Sequence, residues 1–234
     1  MTFTLLVFIL NEIEGLRVVL PRIQKEWVDE FILLDGGSTD GSVEFAESLG
    51  FRVTRQKSKG LLEALREGIG LVRTDCVIPF TPDNNMIPEK IPELVAKAKE
   101  GYDMVICSRY YGGAKSQDDN LITGFGNWMF TSIVNVLFGT RYTDLLGLYR
   151  VFRTDLIRRL GITIQISIDT QLCIRCATHG FKVTEIGGDE PKRIGGKSSR
   201  KIIKNGLIEV VTITKEFIFK KKILQDYLKS HASA

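Results

Sequence analysis

With 234 residues and 44% hydrophobic content, the chain has the length and apolar supply for one domain with a sizeable core, which excludes a disordered chain or an extended coiled coil. Its net charge is only +4, and much of the excess sits in "PKRIGGKSSRKIIK" and "FKKKIL" near the C-terminus. That is a local basic face rather than the uniformly basic surface of a nucleic-acid binder, so no nucleic-acid partner is expected.

In chain order, the first hundred residues alternate. "TFTLLVFIL" is an apolar run of strand length, and it lacks the basic start and small-residue cleavage site of a signal peptide. A cytoplasmic chain is therefore expected. A helical pattern follows through "EGLRVVLPRIQKEW", then a strand "EFILLD", then a helix in "STDGSVEFAESLG" with Ser38 or Asp40 placed as its N-cap. "FRVTRQ" reads as a strand, "KGLLEALREGIGLV" as a helix, "DCVIPF" as a strand, "PEKIPELVAKAKEG" as a helix and "YDMVICS" as a strand.

Strand and helix in repeated alternation predict an α/β fold whose mostly parallel central sheet has helices on both faces. In such sheets ligands bind at the carboxyl ends of the strands. The rule selects the loops that begin at "ILNE", "DGGSTD", "TPDNN" and "SRYYGG", each polar or Gly-rich directly after an apolar run.

Beyond residue 110 the pattern changes. A polar loop "YYGGAKSQDDN" precedes a helix predicted over 123–138, whose stretch "FGNWMFTSIVNVLFG" falls short of the roughly 18 apolar residues of a membrane span and carries two Asn. Next come "YTDLLGLYRVFR", a helical "SIDTQLCIRCATHG", a strand "FKVTEI" and a Gly-rich basic loop. Over 199–228, Ile203, Leu207, Val210, Val211, Phe217 and Ile218 recur at helical spacing against Lys-rich positions. Such a helix packs on its own domain, on a second copy in a homo-oligomer, or on an anionic membrane surface. The four cysteines make no disulfide framework in a chain of this size, and Cys173-x-x-Cys176 without a second pair reads as buried thiols rather than a zinc site.

Taken together, Asn11-Glu12, "DGGSTDGS" at 35–42, "KGLLEALREG" at 59–68, "SRYYGG" at 108–113, "TDLLGLYRVFR" at 143–153, "DTQLCIRCATHGFKVTEI" at 169–186 and "RIGGKS" at 193–198 resemble the successive motifs of family 2 glycosyltransferases. The resemblance is to the branch that includes dolichol-phosphate mannosyltransferase. It implies a GT-A (nucleotide-diphospho-sugar transferase) fold over 1–198, with 199–234 as an appended amphipathic helical segment. The implied reaction is inverting transfer from a nucleotide diphosphate sugar, with a polyprenyl phosphate as the leading acceptor. A glycan or small-molecule hydroxyl is the alternative acceptor, and a nucleotide-sugar-binding protein without activity is the rival outside the enzymes. A dinucleotide-dependent dehydrogenase is disfavoured because no G-x-G-x-x-G follows the first strand.

The resemblance also implies site residues. Asn11, Glu12, Asp35, Gly37, Lys59, Gly60 and Asp83 are expected at the donor, and Arg109, Arg193, Lys197 and Ser198 at its phosphates. The family's Asp-x-Asp motif is half present in "TPDNNMIPE": Thr81 stands at the first carboxylate, so Asp83 and Asn85 are the expected ligands of Mg²⁺ or Mn²⁺. Asp144 and Asp169, with Arg109, are the catalytic candidates; a sugar hydroxyl acceptor requires a base, whereas a phosphate is already anionic. Three positions depart from the pattern: Gln171 replaces a common Glu, and Asp119 and Thr123 stand where the branch places an Arg and a Ser for acceptor phosphate. The last two argue against a direct copy of that acceptor site.

Overall fold

The computed structural model of the chain describes residues 1–162, 166–195 and 202–231. Seven strands form one sheet in the order β3-β2-β1-β4-β6-β5-β7. They are β1 (Phe3–Ile9), β2 (Glu30–Asp35), β3 (Val53–Arg55), β4 (Cys76–Phe80), β5 (Met104–Ser108), β6 (Arg150–Arg153) and β7 (Val183–Gly187). All pair parallel except β6, which runs antiparallel between β4 and β5.

Side-chain alternation along β1 divides the core. Phe3, Leu5, Val7 and Ile9 join one buried cluster with helices α1 (Ile13–Val19), α2 (Ser42–Ser48) and α4 (Ile91–Lys99). Leu6 and Phe8 join the other with α3 (Leu61–Leu71), α5 (Leu121–Phe138), α6 (Leu156–Arg159) and α7 (Ile168–Thr178). The expected sheet with helices on both faces is the observed architecture. A last helix, α8 (Ile202–His231), packs on α7 and α5.

Local chemistry corrects three boundaries. The first predicted helix stops at Val19 because Pro21 has no N–H to continue it, and two 3-10 turns, Leu20–Arg22 and Lys25–Trp27, carry the chain to β2. Neither Ser38 nor Asp40 caps α2. Gly41, in the left-handed region, holds that position, while Asp40 accepts from Ser42 N and, across to the neighbouring loop, from Ile13 N. Helix α5 starts two residues before the predicted 123, because Asn120 and Thr123 form a reciprocal capping box. The two extra residues give it 18 in all, long and apolar enough by length and composition to cross a membrane.

Pro79 sits inside β4, but β6 pairs only with Cys76 and Val77, so no ladder lies beside Pro79 on that edge. With Pro82 and Pro88 beyond it, the chain leaves the sheet cleanly into a loop at the carboxyl edge.

Candidate functional site at the carboxyl edge of the sheet

The loops after β1, β2, β3, β4 and β5 emerge along one edge. Those after β1 and β2 are knitted together: Asn11 adopts a left-handed φ of 54°, its N–H donates to Ser38 Oγ, its Oδ1 accepts from Thr39 N, and Glu12 N donates to Ser42 Oγ. Asp35 is buried and its carboxylate accepts from Gly37 N and Ser38 N, with Arg55 3.3 Å away. Gly37, at φ 113°, has Arg55 so near that an added Cβ would lie 2.9 Å from its guanidinium. Asp35 thus shapes a backbone cradle in addition to carrying charge. Lys59 and Gly60 are exposed in the turn before α3.

After β4, Asp83 is buried. Its Oδ1 accepts from Thr81 Oγ1 and Asn85 N at 3.1 Å each, and its Oδ2 meets the Arg193 guanidinium at 2.5 Å. Arg193 also reaches Glu12 at 3.3 Å. The backbone of the basic loop docks here too, with Ile194 N donating to Asp83 O and Asn84 Nδ2 to Lys192 O. Glu12, Asp83 and Arg193, distant in sequence, are therefore one cluster. Lys197 and Ser198 lie outside the described residues.

Helix α1 presses on this loop through Gly15, where an added Cβ would lie 2.3 Å from Pro82 O. Gly15→Ala should cost about 1–3 kcal/mol through backbone displacement, read as a lowered Tm together with weaker nucleotide binding.

Burial and the Asp83 charge push the Glu12 carboxyl up to about 7 against the pull of Arg193. A folded value above the ordinary 4.5 means that the native state prefers the protonated form. Stability contributed by that preference is full below pH 4.5 and is lost as pH rises through 7. Glu12→Gln should therefore flatten the fall in Tm between pH 4.5 and pH 7, read by thermal melts across that range.

A second cluster forms at the end of β5. Arg109 grips Asp144 through Nε at 2.7 Å and a terminal nitrogen at 2.8 Å, and reaches Asp119 at 3.3 Å and Glu190 at 3.4 Å. Asp144 has no exposed surface; burial alone would raise its carboxyl, yet the Arg109 charge and hydrogen bonds hold it below the usual carboxylate range. This corrects two expectations. Arg109 directs its donors at three carboxylates rather than outward at a phosphate, and Asp144 is an enclosed counter-ion with no basic oxygen open to an acceptor. Asn85 joins the clusters: its N–H donates to Asp83, and its amide nitrogen donates to Asp118 and Glu190 at 2.9 and 3.1 Å.

Asp169, in the first turn of α7, is 21% exposed beside the buried Arg150 at 3.6 Å. Burial pushes its carboxyl up to about 6 against the Arg150 charge. Of the two predicted bases, it alone has both access and a suitable proton affinity. The departures from the family pattern also find partners: Asp119 accepts from Arg109 and Tyr110, Thr123 Oγ1 accepts from Asn120 N in the capping box of α5, and Gln171 donates to Glu216 on α8.

Sequence reasoning missed Glu190, Arg150 and Glu216. Arg150 had a signal, an arginine entering the apolar run "RVF"; Glu190 and Glu216 had none, because their partners lie 81 and 41 residues away.

A metal ion fits this edge only in part. Asp83 offers one carboxylate, and Asn85 Oδ1 is a buried acceptor with no partner among the described residues. Among the described residues no group of three or more His, Cys, Asp or Glu is placed to hold an ion. The chain's own donor set is thus a partial site whose remaining positions suit phosphate oxygens and water.

Comparison with known proteins follows these features. The sequence profile of glycosyl transferase family 2 matches residues 4–161. Glycosyltransferase AglJ of Haloferax volcanii is 27% identical over 75% of this chain and 58% of its own length, and a dolichyl-phosphate hexose transferase of the same organism is 25% identical over 75% and 77%. An undecaprenyl-phosphate 4-deoxy-4-formamido-L-arabinose transferase of Shewanella sediminis is 27% identical over 56% and 40%. The chain therefore spans little more than half of the first relative and less than half of the last. Among solved structures, glucosyl-3-phosphoglycerate synthase of Mycobacterium tuberculosis, in complex with Mn²⁺, UDP-glucose and phosphoglyceric acid, superposes with a TM-score of 0.65 at 21% identity over 97% of this chain and 79% of its own. The same enzyme is also known with Mg²⁺ and UDP. With its GT-A architecture and the profile match over 158 of its residues, from 4 to 161, the chain belongs to glycosyl transferase family 2.

Proposed function

We propose that the protein transfers a sugar, with inversion, from a nucleotide diphosphate sugar to a polyprenyl phosphate at a membrane surface. Asn11, Glu12, Asp35, Gly37, Lys59 and Gly60 line the donor edge, Asp83 and Asn85 face its diphosphate, and Arg193, Lys197 and Ser198 come from the basic loop. A divalent ion held by Asp83 and Asn85 would neutralise charge on the departing nucleoside diphosphate. Arg109 and Asp144 act as a fixed pair that shapes the acceptor side.

The observation that carries the lipid acceptor is the exposed apolar face shared by α5 and α8, two helices that also bury polar side chains. On α8 the inward face carries polar groups beside the core residue Ile213: Glu209, Thr212 and Glu216 are buried, and the two carboxylates hydrogen-bond to Thr170, Gln171 and Arg175. Its outward face is apolar, with Ile203 (82% exposed), Leu207, Val210, Phe217 and Ile218, and by helical geometry Lys204, Lys215 and Lys222 run along its edge. Helix α5 also buries polar side chains beside core residues, here Phe130 and Val134. Asn127 and Thr131 point inward to accept from Leu146 N and Leu145 N, while Leu121 (93% exposed), Phe125, Trp128 and Val136 point out. The helices touch through Phe138 and Phe217.

A helix that buries its carboxylates and exposes its leucines is solvated from outside by something apolar, and the flanking lysines suit anionic headgroups. The face begins at Leu121, two residues after Asp119 of the Arg109 cluster, so it leads directly to the acceptor side. The double substitution Ile203→Asp/Leu207→Asp should lower partitioning onto phosphatidylserine vesicles at least tenfold, since each lost apolar side chain removes about 1.5–3 kcal/mol of burial. Unchanged co-sedimentation would remove this support.

The test of function is transfer of label from UDP- and GDP-linked hexoses to dolichyl or undecaprenyl phosphate in vesicles, followed by solvent extraction. No lipid-linked label from any donor would overturn the proposal. The raised Asp169 carboxyl favours a second reading, transfer to a hydroxyl with Asp169 as base. Asp169→Asn separates the two: a phosphate acceptor reaction keeps most of its rate, whereas a base-dependent one loses about 10²–10⁴-fold.

A further inference from the structure

The Glu12–Asp83–Arg193 cluster places a guanidinium on the carboxylate that a divalent ion would need. Arg193 is 2.5 Å from Asp83 Oδ2, the other oxygen already accepts from Thr81 and Asn85 N, and the second arm of Arg193 lies against Glu12. Three polar atoms round the cluster are buried without a partner among the described residues: Glu12 Oε2, Asn85 Oδ1 and Arg193 Nε. The arrangement is electrically balanced at Asp83 yet incompletely hydrogen-bonded, which is the state of a site built to exchange partners. Thr81 adds to this, because with a hydroxyl in place of the first carboxylate the loop cannot hold both an arginine and an ion with its own charges.

We propose that Arg193 is a tethered cation that keeps Asp83 closed to divalent metal until the donor's diphosphate offers the guanidinium other oxygens. This rests on the donor reading above and adds an order of events to it. Arg193 and the ion exclude each other on Asp83, so the protein takes metal together with the nucleotide and not before it. Charge balance requires this. Releasing Arg193 without an anion to receive it strands a guanidinium only 24% exposed, whereas a diphosphate accepts it bidentately.

The experiment measures Mn²⁺ binding by the loss of the free-ion electron paramagnetic resonance signal, on the full chain at fixed pH, with Mn²⁺ alone and with Mn²⁺ plus UDP, GDP or CDP. Wild type is expected to bind Mn²⁺ alone at least tenfold more weakly than Arg193→Gln, and to close that gap when the right nucleotide is added. Arg193→Lys, which keeps a cation on the same segment, should stay near wild type, and circular dichroism checks that both variants fold. Equal binding of Mn²⁺ alone by wild type and Arg193→Gln would overturn the inference while leaving the transferase reading standing. Absence of Mn²⁺ binding in every variant with every nucleotide would overturn the metal part of that reading and the inference with it.

Discussion

Replacing Asp83 by Ala should lower transfer about 10²–10³-fold, the usual scale for removing one preorganised electrostatic group from an active site. The carboxylate is buried at the end of β4 and joins three elements: the Thr81 hydroxyl, the Asn85 backbone and the Arg193 guanidinium all converge on it. Asp83→Asn is the more informative change. Its amide oxygen still accepts from Thr81 and Asn85, so the turn survives, but the charge that meets Arg193 or an ion is gone. Near-wild-type rates for Asp83→Asn, with the fold intact by circular dichroism, would reduce Asp83 to a turn residue between two prolines. Comparable losses for Asn and Ala would place its contribution in charge rather than in loop geometry.

The second large effect concerns stability. Restoring the family's common residue by Gln171→Glu should destabilise the protein by about 3 kcal/mol, because it would set a second carboxylate against the buried Glu216. In the native chain Gln171 Nε2 donates to Glu216 at 3.1 Å, and Arg175 grips the same carboxylate at 2.6 Å while donating to Leu160 O and Gly161 O. One arginine cannot neutralise two acids at that distance, so α8 should loosen from α7. For a chain of this length the loss corresponds to about 6–12 °C in Tm. The double variant Gln171→Glu/Glu216→Gln exchanges donor and acceptor across the same contact and should recover most of it. A Gln171→Glu protein as stable as wild type, with no coupling to Glu216, would detach this departure from the seating of α8. Gln171 is thus a donor to Glu216 in the seating of α8.

Much of the molecule was legible in order. The apolar runs of β1, β2, β4 and β5 announce a parallel sheet because strands buried on both faces tolerate few polar residues. Asp35 and Asp83 stood out because each breaks such a run at the edge where ligands bind. The start of α5 lies in "NLIT", two residues before the point that apolar spacing indicates, since a capping box is a contact between Asn120 and Thr123 and not a property of either residue.

What the sequence determined by itself was local and periodic: which segments are strands and helices, which loops share an edge, and which charged residues lie on them. The tertiary structure alone decided which charges face one another. Asp144 and Arg109, expected as base and phosphate ligand, are a closed pair, Arg193 crosses from the basic loop to Asp83, and α5 and α8 keep exposed apolar faces while burying Asn127, Thr131, Glu209 and Glu216. Ion pairing depends on distances of a few ångströms between residues far apart in the chain, and neither composition nor spacing encodes those distances.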